Sequence, residues 1–246
     1  MLRLEHPMII TPTGGLIYHF RALKYRSNLW QEFRYDLRLW LNAWNPRETS
    51  LLLIGPSGGH CLDTEFLRRF KSISAVDPDP LAKWFFFRNH GIRPDWTGED
   101  YFSPFEGHFD IGLFENLLRR YPNHCVLFCN FLGQLPLLYP HDNTEDSFSS
   151  WCGALPTLLD SRSWASFHDR MSGRLRPQFE LNVSTHVNQP LSNAEIVERF
   201  YLARHNTTVE LTDHLTGSLF PIASRRFSRW EILPGLWHLT EMVFQS

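Results

Sequence analysis

The sequence lacks any apolar run approaching the roughly 20 residues that a membrane-spanning helix requires. Cysteine is scarce, and Cys61, Cys125, Cys129 and Cys152 show none of the paired C-x-x-C spacing of a zinc knuckle or disulfide scaffold. Reduced thiols are therefore expected. With no signal-peptide pattern at the N-terminus, the expected location is the cytoplasm. Neither sign of charge is in excess, 24 Lys and Arg standing against 26 Asp and Glu, which disfavours a protein built to bind nucleic acid. There is no internal repeat, no low-complexity linker and no H-x-x-H or H-x-x-x-H pair, so no metal site is assigned.

Aromatic residues are abundant, with 9 Trp and 20 Phe. Most belong in a core, and the surplus also suits a pocket for an apolar or planar ligand. A chain of 246 residues can bury such a core as one large domain.

The chain is organised around Ser50 to Pro80. Leu51 to Ile54 is an apolar run of strand length, suited to burial on both faces. It stops at Gly55-Pro56-Ser57-Gly58-Gly59, where backbone N–H groups can be exposed in a tight turn. Leu62, Phe66, Leu67 and Phe70 then recur at helical spacing, and a second strand, Ile73 to Val76, ends on Asp77. Strand, glycine turn, helix, strand and acid make a β-α-β unit. In nucleotide-binding sheets such a turn approaches the ligand, and an acid about 20 residues on accepts from ribose hydroxyls.

This stretch resembles the cofactor half of the class I S-adenosylmethionine-dependent methyltransferases, whose first motif is an acid, one residue, then G-x-G-x-G. Gly55, Ser57 and Gly59 occupy the three glycine positions. Ser57 replaces the middle glycine, and Leu53 stands where the family has its acid. The resemblance implies a Rossmann-like α/β sheet of seven strands, the last antiparallel, with helices on both faces. It further implies S-adenosylmethionine held by Gly55, Ser57, Gly58 and Gly59, with Asp77 on the ribose and Asp100 near the adenine amino group. The same five residues also read as G-x-S-x-G, a hydrolase nucleophile elbow with Ser57 as nucleophile. A methyltransferase-fold binding protein without activity is a third reading, motivated by Leu53 and Ser57.

Two organisational units are expected: an N-terminal helical extension or lid over 1–45 and the sheet domain over 46–246. Within the first, Ser27 is the expected N-cap of a helix carrying the stripe Trp30, Phe33, Leu37, Trp40 and Trp44. Later, Asp79 and Pro80 are expected to open a helix over 81–90 that stops at Gly91. Arg93 to Gly98 is an edge-type strand because of Pro94. A helix from 108 to 121, strands over 124–129 and 163–167, and a helix capped by Ser192 follow. A sixth strand is expected at 208–211, then a long loop containing Arg225 and Arg226, then a last strand over 236–244.

Ligands of an open α/β sheet bind beyond the carboxyl ends of its strands. That edge is expected to collect Gly55 to Gly59, Asp77, Asp100, Asn130, His168, Asp169, Asp213 and His214. His168 or His214 is a candidate base oriented by the neighbouring acids, and the same four residues also suit a structural network. Asn130, at the end of the fourth strand, is by resemblance a candidate substrate or cofactor contact, and it also reads as a turn residue. Arg170, Arg174, Arg176, Arg225 and Arg226 offer charge for an anionic group. The expected partner is a small molecule.

Overall fold

The computed structural model describes residues 15–139, 144–179, 186–201, 210–220 and 223–246. Helices α1 (Gly15–Tyr25) and α2 (Gln31–Ala43) precede the first strand, β1 (Ser50–Ile54). The next elements are α3 (Thr64–Leu67), β2 (Ser72–Val76), α4 (Ala82–His90) and β3 (Asp95–Thr97), then α5 (Ile111–Arg120) and β4 (His124–Cys129). After a 3-10 turn at Leu132–Gln134 come α6 (Leu135–Leu138), α7 (Thr144–Leu159), β5 (Trp164–Gly173) and β6 (His186–Val187). The chain closes with α8 (Asn193–Phe200), β7 (Leu211–Asp213), β8 (Arg225–Leu233) and β9 (Leu236–Gln245).

The sheet runs β3-β2-β1-β4-β5-β9-β8-β6, with β7 paired to the far end of β5. Strands β1 to β5 are mutually parallel, and β9 is antiparallel to both β5 and β8. Apart from the short additions β6 and β7, this is the expected seven-strand sheet with an antiparallel last strand. Its central strands are apolar on both faces because both faces are covered. Leu51 and Leu53 of β1, with Cys125, Leu127 and Cys129 of β4, enter the core layer beneath α2. Leu52, Ile54, Val126 and Phe128 enter the opposite layer with α5 and α7. Among the described residues no helix is long and apolar enough to cross a membrane.

The α2 stripe is buried as its period requires. Phe33 stacks on Trp230 at 4.7 Å, and the Trp30 and Trp44 indoles donate to the carbonyls of Ile232 and Gln245. Ser27, however, is not the N-cap: a turn intervenes and the helix begins at Gln31, with Trp30 in the cap position making no side-chain cap bond. Ser192 does cap α8, forming a reciprocal capping box with Glu195.

Two strand expectations are corrected. In 208–211, residues 208 and 209 lie outside the described set, and Leu211–Asp213 forms only a three-residue antiparallel addition to β5. The sixth strand of the sheet is β8, in the stretch expected to be a loop. Its apolar residues were hidden by charge. Phe227, Trp230 and Ile232 are buried, while Arg226 and Arg229 are only partly buried and pair with Asp36 and Glu32 of α2. Arg225 points inward, 2.5 Å from the buried carboxylate of Glu241, and also donates to the carbonyls of Leu219, Phe220 and Ala223. Burial pushes Glu241 up to about 6, against the opposing pull of Arg225. Strand β5 also continues past its expected end, so His168 and Asp169 lie within it and point to opposite faces.

The arginines expected to meet an anion are largely spent. Arg170 is buried on Asp213 and Asn193, and Arg176 stacks on Trp237. All four cysteines are free and buried.

Candidate functional site

A cavity of about 370 Å³ opens outside the carboxyl ends of β1, β2 and β4. It lies where the strand order changes direction, between β1 and β4. One end is made by the glycine turn. Gly55 (φ +63°) takes a left-handed conformation, and a Cβ there would meet the Phe131 ring at 2.7 Å. Ser57 is also left-handed, at φ +48°. The Ser57 N–H donates to Asp77 Oδ2 at 2.6 Å, and Asp79 N–H donates to Asp77 Oδ1 at 2.9 Å. Asp77 thus ties the end of β2 to the turn after β1. Burial is the largest influence on its carboxyl and pushes it up to about 7, although both backbone donors oppose that shift.

Helix α1 closes this end with Gly15, Tyr18 and Arg21 on the cavity wall. A chain of polar contacts fixes it there. Asn89 Nδ2 can only donate, so His60 Nδ1 (3.1 Å) accepts and His60 Nε2 carries the proton. That proton goes to His19 Nδ1 at 2.8 Å, and His19 Nε2–H donates to Asp79 Oδ2 at 2.9 Å. Burial, then the neighbouring His19, hold His60 down to about 3, so this ring is neutral in ordinary buffers.

The other end is built from side chains of β5, β8 and β9: Phe167, Trp230, Ile232, Leu236 and His238. Fully buried Asp169 anchors it. Its Oδ2 accepts from Asn130 Nδ2 at 3.0 Å and Gln134 Nε2 at 2.9 Å, and lies 2.7 Å from His238 Nδ1. The His238 contact is short but falls outside hydrogen-bond geometry. Burial alone would raise the Asp169 carboxyl. The proximity of His238, then His214 and the Asn130 amide, outweigh it and bring Asp169 down to about 2. Asp169, His214 and His238 place ligand-type atoms within 4.8 Å of one another. The carboxylate oxygen is already crowded by two amide donors, and both nitrogens of His214 are committed, which favours a proton-handling dyad over a metal cradle.

The expected site residues divide. Gly55, Ser57, Asp77, Asn130 and His214 all line the cavity, while Gly58 and Gly59 are buried beside it in the turn. Asn130 (φ +52°) uses both ends of its amide on Asp169, its Oδ1 accepting the Asp169 N–H at 2.9 Å. It positions the acid. His214 Nδ1 donates to the Gly133 carbonyl and its Nε2 accepts from the Ser172 hydroxyl. His168 is not brought to the cavity. It is buried on the opposite face, bonded to Ser166 and near Phe220. Asp100 sits at an exposed turn, accepting from the N–H groups of Phe102 and Ser103, and borders a narrow cleft beyond Phe131. His238, Gln134 and Ser172 were missed. The signal for His238 was the alternation of β9: if Trp237, Leu239 and Glu241 share one face, His238 and Thr240 share the other.

No family model and no curated protein sequence matches the chain. Solved structures do. The chain is 15% identical to DhpI in complex with SAH, over 92% of each chain, with a TM-score of 0.41. It is 13% identical to the magnesium protoporphyrin IX methyltransferase ChlM from Synechocystis with bound SAM, over 88% of this chain and 79% of that one, at a TM-score of 0.41. To the N-methyltransferase NodS from Bradyrhizobium japonicum, in complex with S-adenosyl-L-homocysteine, it is 11% identical over 92% and 98%, at 0.42. Overlaps this shallow leave the strand order and the cavity to carry the functional reading. The sheet, its antiparallel last strand and its N-terminal helices give the chain a Rossmann-like α/β fold.

Proposed function

We propose that the chain is an S-adenosylmethionine-dependent methyltransferase acting on a small acceptor with an apolar body. The observation that carries this reading is one cavity at the strand-order switch point, with Gly55, Ser57 and Asp77 at one end and the Asp169–His238 pair at the other. The cofactor fits the cavity on two counts. Asp77 puts a carboxyl group on its wall, and Gln134 Oε1, also of the wall, is a buried acceptor without a partner among the described residues. Leu53, in place of the family's acid, is sealed in the core. A cationic group of the cofactor is therefore met elsewhere, and Gln134 supplies an acceptor. Asp77 holds the ribose, and α1 serves as a lid that excludes water.

When bound, the cofactor supplies an electrophilic methyl group. The chain supplies orientation and a proton acceptor. With Nδ1 facing Asp169, His238 presents Nε2 as the base, and Asp169 stabilises the imidazolium formed when Nε2 takes the acceptor's proton. Phe167, Trp230, Ile232 and Leu236 surround the acceptor with apolar surface, which excludes water.

A Ser57 nucleophile is disfavoured. No histidine among the described residues bonds its hydroxyl, and the nearby His19 and His60 are committed to each other and to Asp79. Calorimetric titration with S-adenosylmethionine and its demethylated product tests the reading directly. Saturable binding, lost in Asp77→Ala, is expected. Absence of heat with either compound would leave the fold as a binding scaffold of another kind.

A further inference from the structure

A second cavity, of about 350 Å³, opens beside the glycine turn and shares only Leu62 with the first. Its wall carries the guanidinium groups of Arg26, from the turn after α1, and Arg34, from α2, together with Ser27, Thr64 and Asn89. Neither arginine has a carboxylate at ion-pair distance among the described residues. Arg26 Nη1 donates to Asn89 Oδ1 at 2.6 Å and Arg34 Nη1 to the Arg26 carbonyl at 3.1 Å, both neutral acceptors. Arg34 Nε is shut off from solvent with no partner among the described residues. Elsewhere in this molecule, buried Arg170 and Arg225 are matched by Asp213 and Glu241.

Asp63, the one acid on this wall, is occupied as the N-cap of α3 through the Phe66 N–H. The histidines on the wall are also spoken for. His90 Nε2 donates to the Gly59 carbonyl and Nδ1 accepts from the Thr64 hydroxyl, while His60 is held between Asn89 and His19. The positive charges crowd one another: burial lowers Arg26, and Arg34 and Arg88 lower it further. Each guanidinium has five N–H donors, of which the described contacts use one apiece. An anion with several oxygens would take up this surplus of donors better than a carboxylate with two.

We propose that this cavity is a phosphate-binding site, in which Arg26 and Arg34 hold inorganic phosphate or the phosphoryl end of a small metabolite. The test is isothermal titration of the full chain, without methyl donor, using sodium phosphate and glycerol 3-phosphate against chloride at matched ionic strength. Saturable one-to-one binding is expected, weakened about tenfold or more in Arg34→Gln and unchanged in Arg119→Gln, whose guanidinium pairs with Glu115 on α5. Arg26→Gln serves as the second variant if Arg34→Gln does not fold. Tighter binding of glycerol 3-phosphate identifies a phosphorylated metabolite as the ligand class, and tighter binding of inorganic phosphate identifies the free ion. No saturable binding of either probe up to about 10 mM, or equal binding by wild type and the arginine variants, overturns the proposal.

Discussion

The two ends of the main cavity are made in different ways. At the glycine end the shape is set by backbone, within one continuous stretch: Gly55 and Ser57 in left-handed conformations, and Asp77 gripping the N–H groups of Ser57 and Asp79. At the other end nothing is local. Asp169 of β5 meets His238 of β9, Asn130 after β4 and Gln134 beyond it. Asp77 apart, the first end should tolerate side-chain change and punish backbone change. The second should behave the opposite way.

The strongest test of that contrast is His238→Gln. Turnover of a methyl acceptor should fall by roughly 10²–10⁴, while affinity for the methyl donor stays within about twofold. The control is His168→Ala, on the other face, which should leave turnover nearly intact. Equal losses in both variants would refute the assignment of His238 as base.

Asp169→Ala comes next. Removing the buried acid strands the amide donors of Asn130 and Gln134, and should cost about 3–5 kcal/mol in chemical denaturation. Because the Asp169 carboxyl is depressed to about 2, its contribution is present above the ordinary carboxylate range and lost as pH falls through about 2. A stability profile without an acid limb attributable to Asp169 would weaken the charge argument at this end.

At the glycine end, Gly55→Ala should cost about 1–2 kcal/mol through the left-handed backbone alone, with further strain against Phe131. Donor affinity should fall with it. A variant that binds the donor normally would detach the turn from the cofactor.

Asp77 sharpens the same end through pH. Its carboxyl is raised to about 7, so without ligand its contribution to stability is full below about pH 4 and lost as pH rises through about 7. Ribose hydroxyls prefer the ionised form, so donor affinity should rise across that upper step, by up to about tenfold. A flat affinity profile from pH 6 to 8 would remove Asp77 from the ribose.

The smallest effect belongs to Ser57→Ala. Its backbone N–H, not its hydroxyl, holds Asp77, so stability should change by no more than about 0.5 kcal/mol. A fluorophosphonate probe should label neither form, whereas labelling abolished by the substitution would revive the hydrolase reading.

Much of the fold was legible because its signals are local. The strand, glycine turn, helix, strand and Asp77 unit lies within one stretch, and the α2 stripe repeats at helical spacing. Gly91 ends α4 in a left-handed conformation, and Ser192 caps α8 within one turn of chain. Strand β8 was not legible, because its Arg225 becomes a core residue only beside Glu241 of β9, and its Arg226 and Arg229 look like loop until Asp36 and Glu32 of α2 meet them. Losing β8 also obscured the second end of the cavity, since Trp230 and Ile232 had no expected place on its wall. Asn130 and His214 line the cavity. Their duties as supports for Asp169 and the Gly133–Ser172 junction depend on partners from other strands.

The sequence by itself determined the backbone-made end, because turns, caps and buried runs are fixed by residues a few positions apart. Tertiary structure decided the proposed base. Only the antiparallel register of β9 on β5, shifted by a bulge between Asp169 and Met171, brings His238 to Asp169. A one-residue slip would send each β9 side chain to the opposite face of the sheet.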